Sequence, residues 1–141
     1  MPDAFDLDRF VTAQEPVIEQ VCRELRDGQK RSHWMWFVFP QLAGLGHSAM
    51  ARRYAISSLA EARAYLEHPV LGARLTDLTQ VVNGTTGRSI LQIFGSPDDM
   101  KFHSSMTLFA LAQPDAPVFH EALEKYFGGA KDYLTEQKLS A

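Results

Sequence analysis

Residues 96–112 read SPDDMKFHSSMTLFALA, and this stretch indicates most clearly how the chain folds. Ser96 is a typical N-cap residue, Pro97 suits the first turn of a helix, and two acids follow in that turn. Apolar residues then recur at helical spacing, at Phe102, Met106 and Phe109. We therefore predict a helix that extends to about Ala112.

The same signals recur along the rest of the chain and predict further helices. Ser58 and Glu61 form the pattern of a capping box, and Pro69 opens a helical pattern that ends at Gly84. Five further helices are predicted around residues 5–11, 16–28, 32–40, 48–54 and 115–127. Residues 89–94 are a short apolar run that favours a helix over a strand, and residues 132–139 can add a last short helix. No segment shows sustained alternation of apolar and polar residues. Residues 1–141 are therefore predicted to form a single all-α domain, a compact bundle of about eight short to medium helices.

The composition sets bounds on size and function. A length of 141 residues fits one domain that buries a core without disulfides or metals. The hydrophobic fraction of 45% and the aromatic fraction of 11% exclude a disordered chain. The net charge of −3 argues against binding to nucleic acids or anionic membranes, because both normally need a basic surface. We predict neither a nucleic-acid nor a membrane partner, and the sequence leaves the oligomeric state open.

The single cysteine and the N-terminus indicate the cellular compartment. Cys22 has no second cysteine with which to form an internal disulfide, which fits a reducing compartment. Its position on an apolar helical stripe favours a buried, unreactive thiol over a nucleophile. The N-terminus lacks the basic and apolar regions of a signal peptide, and no apolar run is long enough to span a bilayer. We therefore expect a cytoplasmic protein.

Residues 30–48, KRSHWMWFVFPQLAGLGHS, contain both tryptophans of the chain directly after three candidate cations. Lys30, Arg31 and His33 are these cations, and Ser32 is predicted to be the N-cap of a helix. Cations at a helix N-terminus oppose the helix dipole. An anion bound there would be held by the cations and by free backbone N–H groups together.

Two interpretations of this segment follow from its residues. Trp34 and Trp36 point in different directions on a helix, so at least one of them could stack on a base or a sugar. Alternatively, Trp34, Phe37 and Val38 belong to the core, the cations are solvated, and His33 bonds a carbonyl group. The sequence leaves both interpretations open.

A second group of polar residues lies on the helix predicted for residues 96–112. Spacings of three and four place Asp98, Lys101 and Ser105 on one helical face, with Ser104 beside them. Hydroxyl groups and an ion pair among apolar residues are rarely buried without hydrogen-bonding partners. They therefore form either the wall of a cleft or a buried polar network that ties helices together.

Several familiar kinds of site are absent from the sequence. The five histidines show no close ligand spacing and the only cysteine lies among apolar residues, which disfavours a structural zinc site. Gly44-x-Gly46 lacks the third glycine and the strand-to-helix context of a dinucleotide-binding loop. Neither a Walker lysine motif nor a Gly-x-Ser-x-Gly motif occurs. We therefore predict no metal and no cofactor.

Motifs along nearly the whole chain resemble those of one bacterial family. They are Gly28-x-Lys30-Arg31-Ser32-His33-Trp34-Met35-Trp36-Phe37-x-Phe39-Pro40-Gln41, Gly44-Leu45-Gly46-x-Ser48, Tyr65-Leu66-x-His68-Pro69-x-Leu71-Gly72, and Phe94-Gly95 followed by Asp98-x-x-Lys101-x-x-Ser104-Ser105-Met106-Thr107-Leu108-Phe109. With these motifs the chain resembles the family known as domain of unknown function 1810. The resemblance implies a mainly helical single domain and brings no established activity. A more distant likeness, around His68-Pro69-x-Leu71 and the later acidic motif, links the chain to a helical family that acts on ADP-ribose derivatives.

These observations lead to two functional hypotheses. In the first, the chain is a small cytoplasmic protein that binds a phosphorylated, nucleotide-like metabolite and could hydrolyse it. Lys30 and Lys101 would hold phosphate, and His33 or Asp98 would act as acid or base. The residues expected to stack on the ligand or to orient it are Trp34, Trp36, Gln41, Ser104 and Ser105. In the second hypothesis, the chain is a non-enzymatic protein-interaction module whose aromatic segment lies wholly in the core.

Overall fold

The computed structural model describes residues 3–140, and ten α-helices make up most of this part of the chain. The helices are α1 Asp8–Gln14, α2 Ile18–Arg26, α3 Met35–Val38, α4 Ala49–Arg53, α5 Leu59–Glu67, α6 Leu71–Gly84, α7 Ile90–Phe94, α8 Asp98–Ala112, α9 Pro117–Phe127 and α10 Tyr133–Ser140. No strand forms within residues 3–140, where the only extended pairing is an isolated parallel bridge between Leu42 and Ile56. The predicted all-α fold is confirmed, with ten helices instead of about eight.

Helix α8 lies at the centre of the helical array. It packs against α5, α7, α9 and α10, and its residues from Phe102 to Ala110 are buried except for the half-buried His103. The predicted end at Ala112 is confirmed, and the two acids lie in the first turn as predicted. The predicted cap is wrong, because the helix begins at Asp98 with Pro97, and not Ser96, at its N-cap position. Because other helices surround its middle, α8 keeps appreciable exposure mainly in its first turn.

The aromatic segment forms a much shorter helix than the sequence predicts. Helix α3 begins only at Met35 and has four residues, with Trp34 at its N-cap position. The prediction that Ser32 caps this helix is wrong, because the Ser32 hydroxyl donates a hydrogen bond to the Glu24 carboxylate at 2.6 Å. So short a helix has almost no dipole, and its N-terminus therefore does not attract an anion as the sequence predicts.

Most aromatic side chains of this segment lie in the core. Trp34, Phe37 and Phe39 are almost inaccessible to solvent, and each packs against an aromatic ring from another part of the chain. Trp36 differs, because it is only half-buried. The core interpretation is therefore right for Trp34 and Phe37, whereas Trp36 remains partly accessible.

Serine caps open three of the shorter helices. The predicted cap at Ser58 accepts a hydrogen bond from the Glu61 N–H, and Ser48 caps α4 in the same way. Ser89 and Gln92 form a reciprocal capping box at the start of α7.

The turn between α5 and α6 brings two stretches of backbone into close contact. His68 Nδ1 accepts hydrogen bonds from the N–H groups of Val70 and Leu71 and so caps α6. A Cβ atom at Gly72 would lie 2.0 Å from the carbonyl oxygen of Leu66. Only glycine fits at this position without a shift of the backbone.

Candidate functional site

A buried carboxylate holds the loop that precedes α3. Glu24 on α2 is 3% exposed, and its two oxygens accept five hydrogen bonds. The donors are the backbone N–H groups of Arg31 and Ser32, the Ser32 hydroxyl, the indole N–H of Trp34 and the side-chain amide of Gln20. Residues 30–34 are therefore fixed to α2 by one side chain.

The pKa of Glu24 reflects two opposing effects. Burial favours the neutral acid and raises the pKa, whereas hydrogen bonds from Ser32, Arg31 and Trp34 favour the carboxylate. The hydrogen bonds prevail and lower the pKa to about 2. Glu24 is therefore an anion near neutral pH, and donors from the protein surround it. Its role is to position this loop.

Lys30 extends from this loop to the first turn of α8. Its ammonium group lies 2.8 Å from Asp98 Oδ2 and 4.9 Å from the centre of the Trp34 ring. It also donates a hydrogen bond to the carbonyl oxygen of Ser32, and its side chain is only 6% exposed. A buried ammonium group needs such partners, and they fix its position beside α8.

Lys101, one turn further along α8, reaches the same carboxylate. Its ammonium group lies 3.7 Å from Asp98 Oδ1 and 5.2 Å from the centre of the Trp36 ring. Each lysine therefore pairs with one oxygen of Asp98 and lies over one of the two tryptophans. Lys101 is the more accessible of the two, with 25% of its side chain exposed.

The two lysines line a cavity of about 270 Å³, which we call the first chamber. Its walls consist of Lys30, His33, Met35, Trp36, Ser96, Pro97, Asp98 and Lys101. The charged groups among them are two ammonium groups and one carboxylate, accompanied by the exposed His33. In a chain whose net charge is −3, the first chamber is a local concentration of positive charge.

A second chamber of about 210 Å³ adjoins the first, and Pro97 and Lys101 belong to the walls of both. The rest of its wall consists of Gln41, Leu45, Gly46, Met100, Ser104, Asp132 and Leu134. Met100 and Leu134 are 67% and 57% exposed, so two large apolar side chains stand together at its rim.

Asp132 is the fixed polar group of the second chamber. Its Oδ2 accepts hydrogen bonds from the Ser104 hydroxyl at 3.1 Å and from the Thr135 hydroxyl at 2.6 Å. The Asp132 N–H donates to the Thr107 hydroxyl at 2.8 Å. These bonds tie the start of α10 to α8. The other oxygen, Oδ1, accepts no hydrogen bond from any residue that the structure describes.

Most of the predicted site residues lie in these two chambers. The first chamber contains Lys30, His33, Trp36, Asp98 and Lys101, and the second contains Gln41, Ser104 and, again, Lys101. Ser104 has a more restricted role than the sequence suggests. Its hydroxyl is engaged by Asp132 and by the carbonyl oxygen of Met100, so it orients Asp132.

Two predicted site residues, Trp34 and Ser105, lie outside both chambers, so their assignment to the site is wrong. Trp34 is 1% exposed and its indole N–H is bonded to Glu24, so its ring cannot stack on a ligand. Ser105 is fully buried in the middle of α8, because neighbouring helices cover the face on which it lies, so it cannot orient a ligand. Its hydroxyl has no hydrogen-bond partner among residues 3–140.

Four residues that shape the site were not predicted from the sequence: Glu24, Met100, Asp132 and Leu134. Glu24 carried a visible signal, because it lies on the apolar stripe of α2 between Val21 and Leu25. Asp132 precedes a predicted helix and is a favourable N-cap residue. Nothing local in the sequence distinguishes Met100 or Leu134 from ordinary surface residues.

Two further findings concern metals and membranes. Within residues 3–140, no three histidine, cysteine, aspartate or glutamate side chains are grouped so that they could hold a metal ion. Among the helices described above, none is both long enough and apolar enough to cross a membrane.

Comparisons with known proteins agree with the motifs. The family model of "Protein of unknown function (DUF1810)" matches residues 4–139. The chain belongs to this family. The crystal structure of the conserved hypothetical protein Rv1873 from Mycobacterium tuberculosis is 57% identical in sequence, and the match covers 99% of each chain with a TM-score of 0.97. No curated protein matches the chain. The two chains therefore share one helical framework, which in this chain carries both chambers.

Proposed function

We propose that this DUF1810 protein is a small cytoplasmic protein that binds a phosphorylated, nucleotide-like metabolite in its first chamber. The observation that carries the proposal is the meeting of Lys30 and Lys101 at one carboxylate, that of Asp98. Two lysines from distant parts of the chain supply the positive charge that a phosphate group needs. Trp36, in the wall of the same chamber, lies under the Lys101 ammonium group and helps to fix its position.

Lys101 is the principal phosphate ligand in this proposal. Its ammonium group lies 3.7 Å from Asp98 Oδ1, which is longer than a hydrogen bond, so its N–H donors remain available to a ligand. Lys30 is held more tightly, by Asp98 and by the Ser32 carbonyl, and has one further N–H to offer. Asp98 reduces the repulsion between the two ammonium groups before the ligand arrives.

Hydrolysis is the second part of the proposal. Asp98 and His33 both line the first chamber, so a water molecule there could lose a proton to either side chain. The water oxygen would attack phosphorus and the bond to the leaving alcohol would break. The second side chain would give the alcohol its proton, while the lysines would stabilise the charge on the phosphate oxygens.

A protein-interaction module is the alternative, and one observation favours it. Met100 and Leu134 expose most of their side chains at the rim of the second chamber. A neighbouring apolar surface of this kind could contact another protein, and the aromatic segment would then serve only the core.

Thermal-shift screening with nucleotides and sugar phosphates, followed by isothermal titration calorimetry, tests the proposal. We expect at least one phosphorylated compound to bind the wild-type protein, and Lys101→Ala to weaken that binding ~10-fold or more. The matched control is Lys131→Ala, because Lys131 is exposed and lines neither chamber. If no phosphorylated compound binds, or if Lys101→Ala leaves binding unchanged, the phosphate site is refuted and the interaction module takes its place.

A further inference from the structure

We infer that the second chamber is the subsite for the base of a nucleotide, and that Asp132 Oδ1 accepts a hydrogen bond from an N–H group on the edge of that base. This inference rests on the proposed function, because it takes the phosphate to lie in the first chamber. It goes further by naming the ligand class as a nucleoside phosphate and by assigning its base to residues outside the lysine cluster.

The ring of Trp36 is the less suitable place for a base. The Lys101 ammonium group already lies over this ring, 5.2 Å from its centre. A base stacked on that face would displace the ammonium group from the ring and would fill the space in which the lysines hold phosphate. The base therefore needs another surface within reach of Lys101, and the second chamber supplies one.

The second chamber has apolar walls suited to a flat ring. Leu45, Met100 and Leu134 come from the loop after α3, from α8 and from α10 respectively. Met100 and Leu134 expose most of their side chains, and a ring bound between them would remove part of this apolar surface from water. Small-molecule sites typically combine apolar walls with a few fixed polar groups.

Two polar side chains in this chamber have unused hydrogen-bonding capacity. Ser104 and Thr135 hold Oδ2 of Asp132 in place, while Oδ1 accepts nothing from the residues described. Gln41 lines the chamber, and its side-chain amide makes no hydrogen bond within residues 3–140. A carboxylate oxygen held in a fixed direction is a good acceptor for the N–H groups of a base.

Lys101 connects the two subsites. It belongs to the walls of both chambers, as Pro97 does, so a ligand whose phosphate binds this lysine can extend into the second chamber. The chambers of about 270 and 210 Å³ together reach the size range of small-molecule sites, roughly 300–1,000 Å³.

Calorimetry with nucleoside 5′-monophosphates, ribose 5-phosphate and inorganic phosphate tests the inference. We expect at least one nucleotide to bind the wild-type protein ~10-fold tighter than ribose 5-phosphate. Leu134→Ser, at an exposed position, should remove most of that preference and leave the affinity for ribose 5-phosphate unchanged. Asp132→Asn should also reduce the preference without weakening ribose 5-phosphate binding, whereas a purely structural role would weaken both.

The matched control is Leu91→Ser, because Leu91 is 52% exposed on α7 and lines neither chamber. Equal affinity for ribose 5-phosphate and for every nucleotide overturns the inference and leaves the phosphate site standing. The same holds if neither Leu134→Ser nor Asp132→Asn changes the preference. If no phosphorylated compound binds at all, the proposed function fails and the inference fails with it.

Discussion

Glu24 and Asp98 are two carboxylates that hold the same loop, residues 30–34. Glu24 lies on α2, before this loop in the sequence, and Asp98 lies on α8, after it. Glu24 is 3% exposed and accepts five hydrogen bonds, all from the protein. Asp98 is 18% exposed and stands between two ammonium groups at the wall of an open chamber. Donors from the protein occupy both oxygens of Glu24, so this carboxylate is saturated. Two ammonium groups surround the single negative charge of Asp98, so positive charge is in excess there. A saturated group maintains the fold, while an excess of charge next to open space can bind a ligand.

The two tryptophans repeat this contrast at a spacing of two residues. Trp34 lies under Lys30 and donates to Glu24, deep in the core. Trp36 lies under Lys101 and borders the first chamber. The same pairing of lysine and indole therefore serves the core in one case and an accessible site in the other.

The largest expected loss of stability comes from Trp34→Ala, and Trp36→Ala should cost much less. Trp34→Ala should lower the free energy of unfolding by about 3–5 kcal/mol, because it opens a cavity in the core and removes a donor from Glu24. Phe37→Ala should behave similarly, since Phe37 is 7% exposed. Trp36→Ala should cost about 1 kcal/mol or less. Urea unfolding followed by circular dichroism measures all three, and losses below about 1 kcal/mol at both Trp34 and Phe37 would contradict their core role.

The saturated carboxylate, Glu24, should make the stability of the fold depend on pH. The pKa of Glu24 is 4.5 ordinarily and about 2 in the folded protein, so the unfolded chain binds this proton more readily. The contribution of Glu24 is therefore complete above pH 4.5 and is lost as the pH falls towards 2. It amounts to about 3 kcal/mol. Urea midpoints measured across this range should fall less steeply for Glu24→Gln than for the wild type, and equal slopes would refute the assignment.

Asp98→Asn should lower the stability of the protein and strengthen its binding of phosphate. It removes the anion beside the buried Lys30, so the free energy of unfolding should fall by about 1–3 kcal/mol. It also removes negative charge near the bound phosphate, and a unit charge at ~4 Å is worth ~1 kcal/mol in water, so binding should strengthen severalfold. Product assays should at the same time show loss of any hydrolysis that depends on this carboxylate. Weaker phosphate binding in a folded Asp98→Asn protein would contradict this account.

Lys101→Ala should have the smallest effect on stability. Its pair with Asp98 is partly exposed and long, and such pairs contribute about 0–1 kcal/mol. A change of this size in the urea midpoint, together with the loss of phosphate binding, would show that Lys101 acts on the ligand. A large loss of stability would place Lys101 with Glu24 among the groups that maintain the fold.

The parts of the fold that depend on local signals could be predicted from the sequence. The cap at Ser58 and the end of α8 at Ala112 are examples, because caps and helical spacing act within a few residues. The errors at Ser32 and Ser105 have one cause. Each depends on which distant element packs against the residue, α2 for Ser32 and the surrounding helices for Ser105.

The charged residues of the candidate site could be predicted from the sequence, whereas the apolar residues of its walls could not. Lys30, Asp98 and Lys101 could be grouped because charged residues beside apolar segments need partners. Met100 and Leu134 could not be assigned to the site, because single exposed apolar residues form no recognisable local pattern. They line one chamber only because α8 and α10 pack together.

The way α8 and α10 are held has a consequence for how the walls of the site fluctuate. Helix α8 is packed on several sides, so its buried amides should exchange hydrogen only when most of the molecule opens. Helix α10 packs mainly against α8 and has one buried residue, Thr135, so its amides should exchange through a local opening of much lower free energy. Local opening of α10 would carry Leu134 away from the second chamber while Lys101 stays in place. We therefore expect the wall formed by α8 to stay in place while the wall formed by α10 moves.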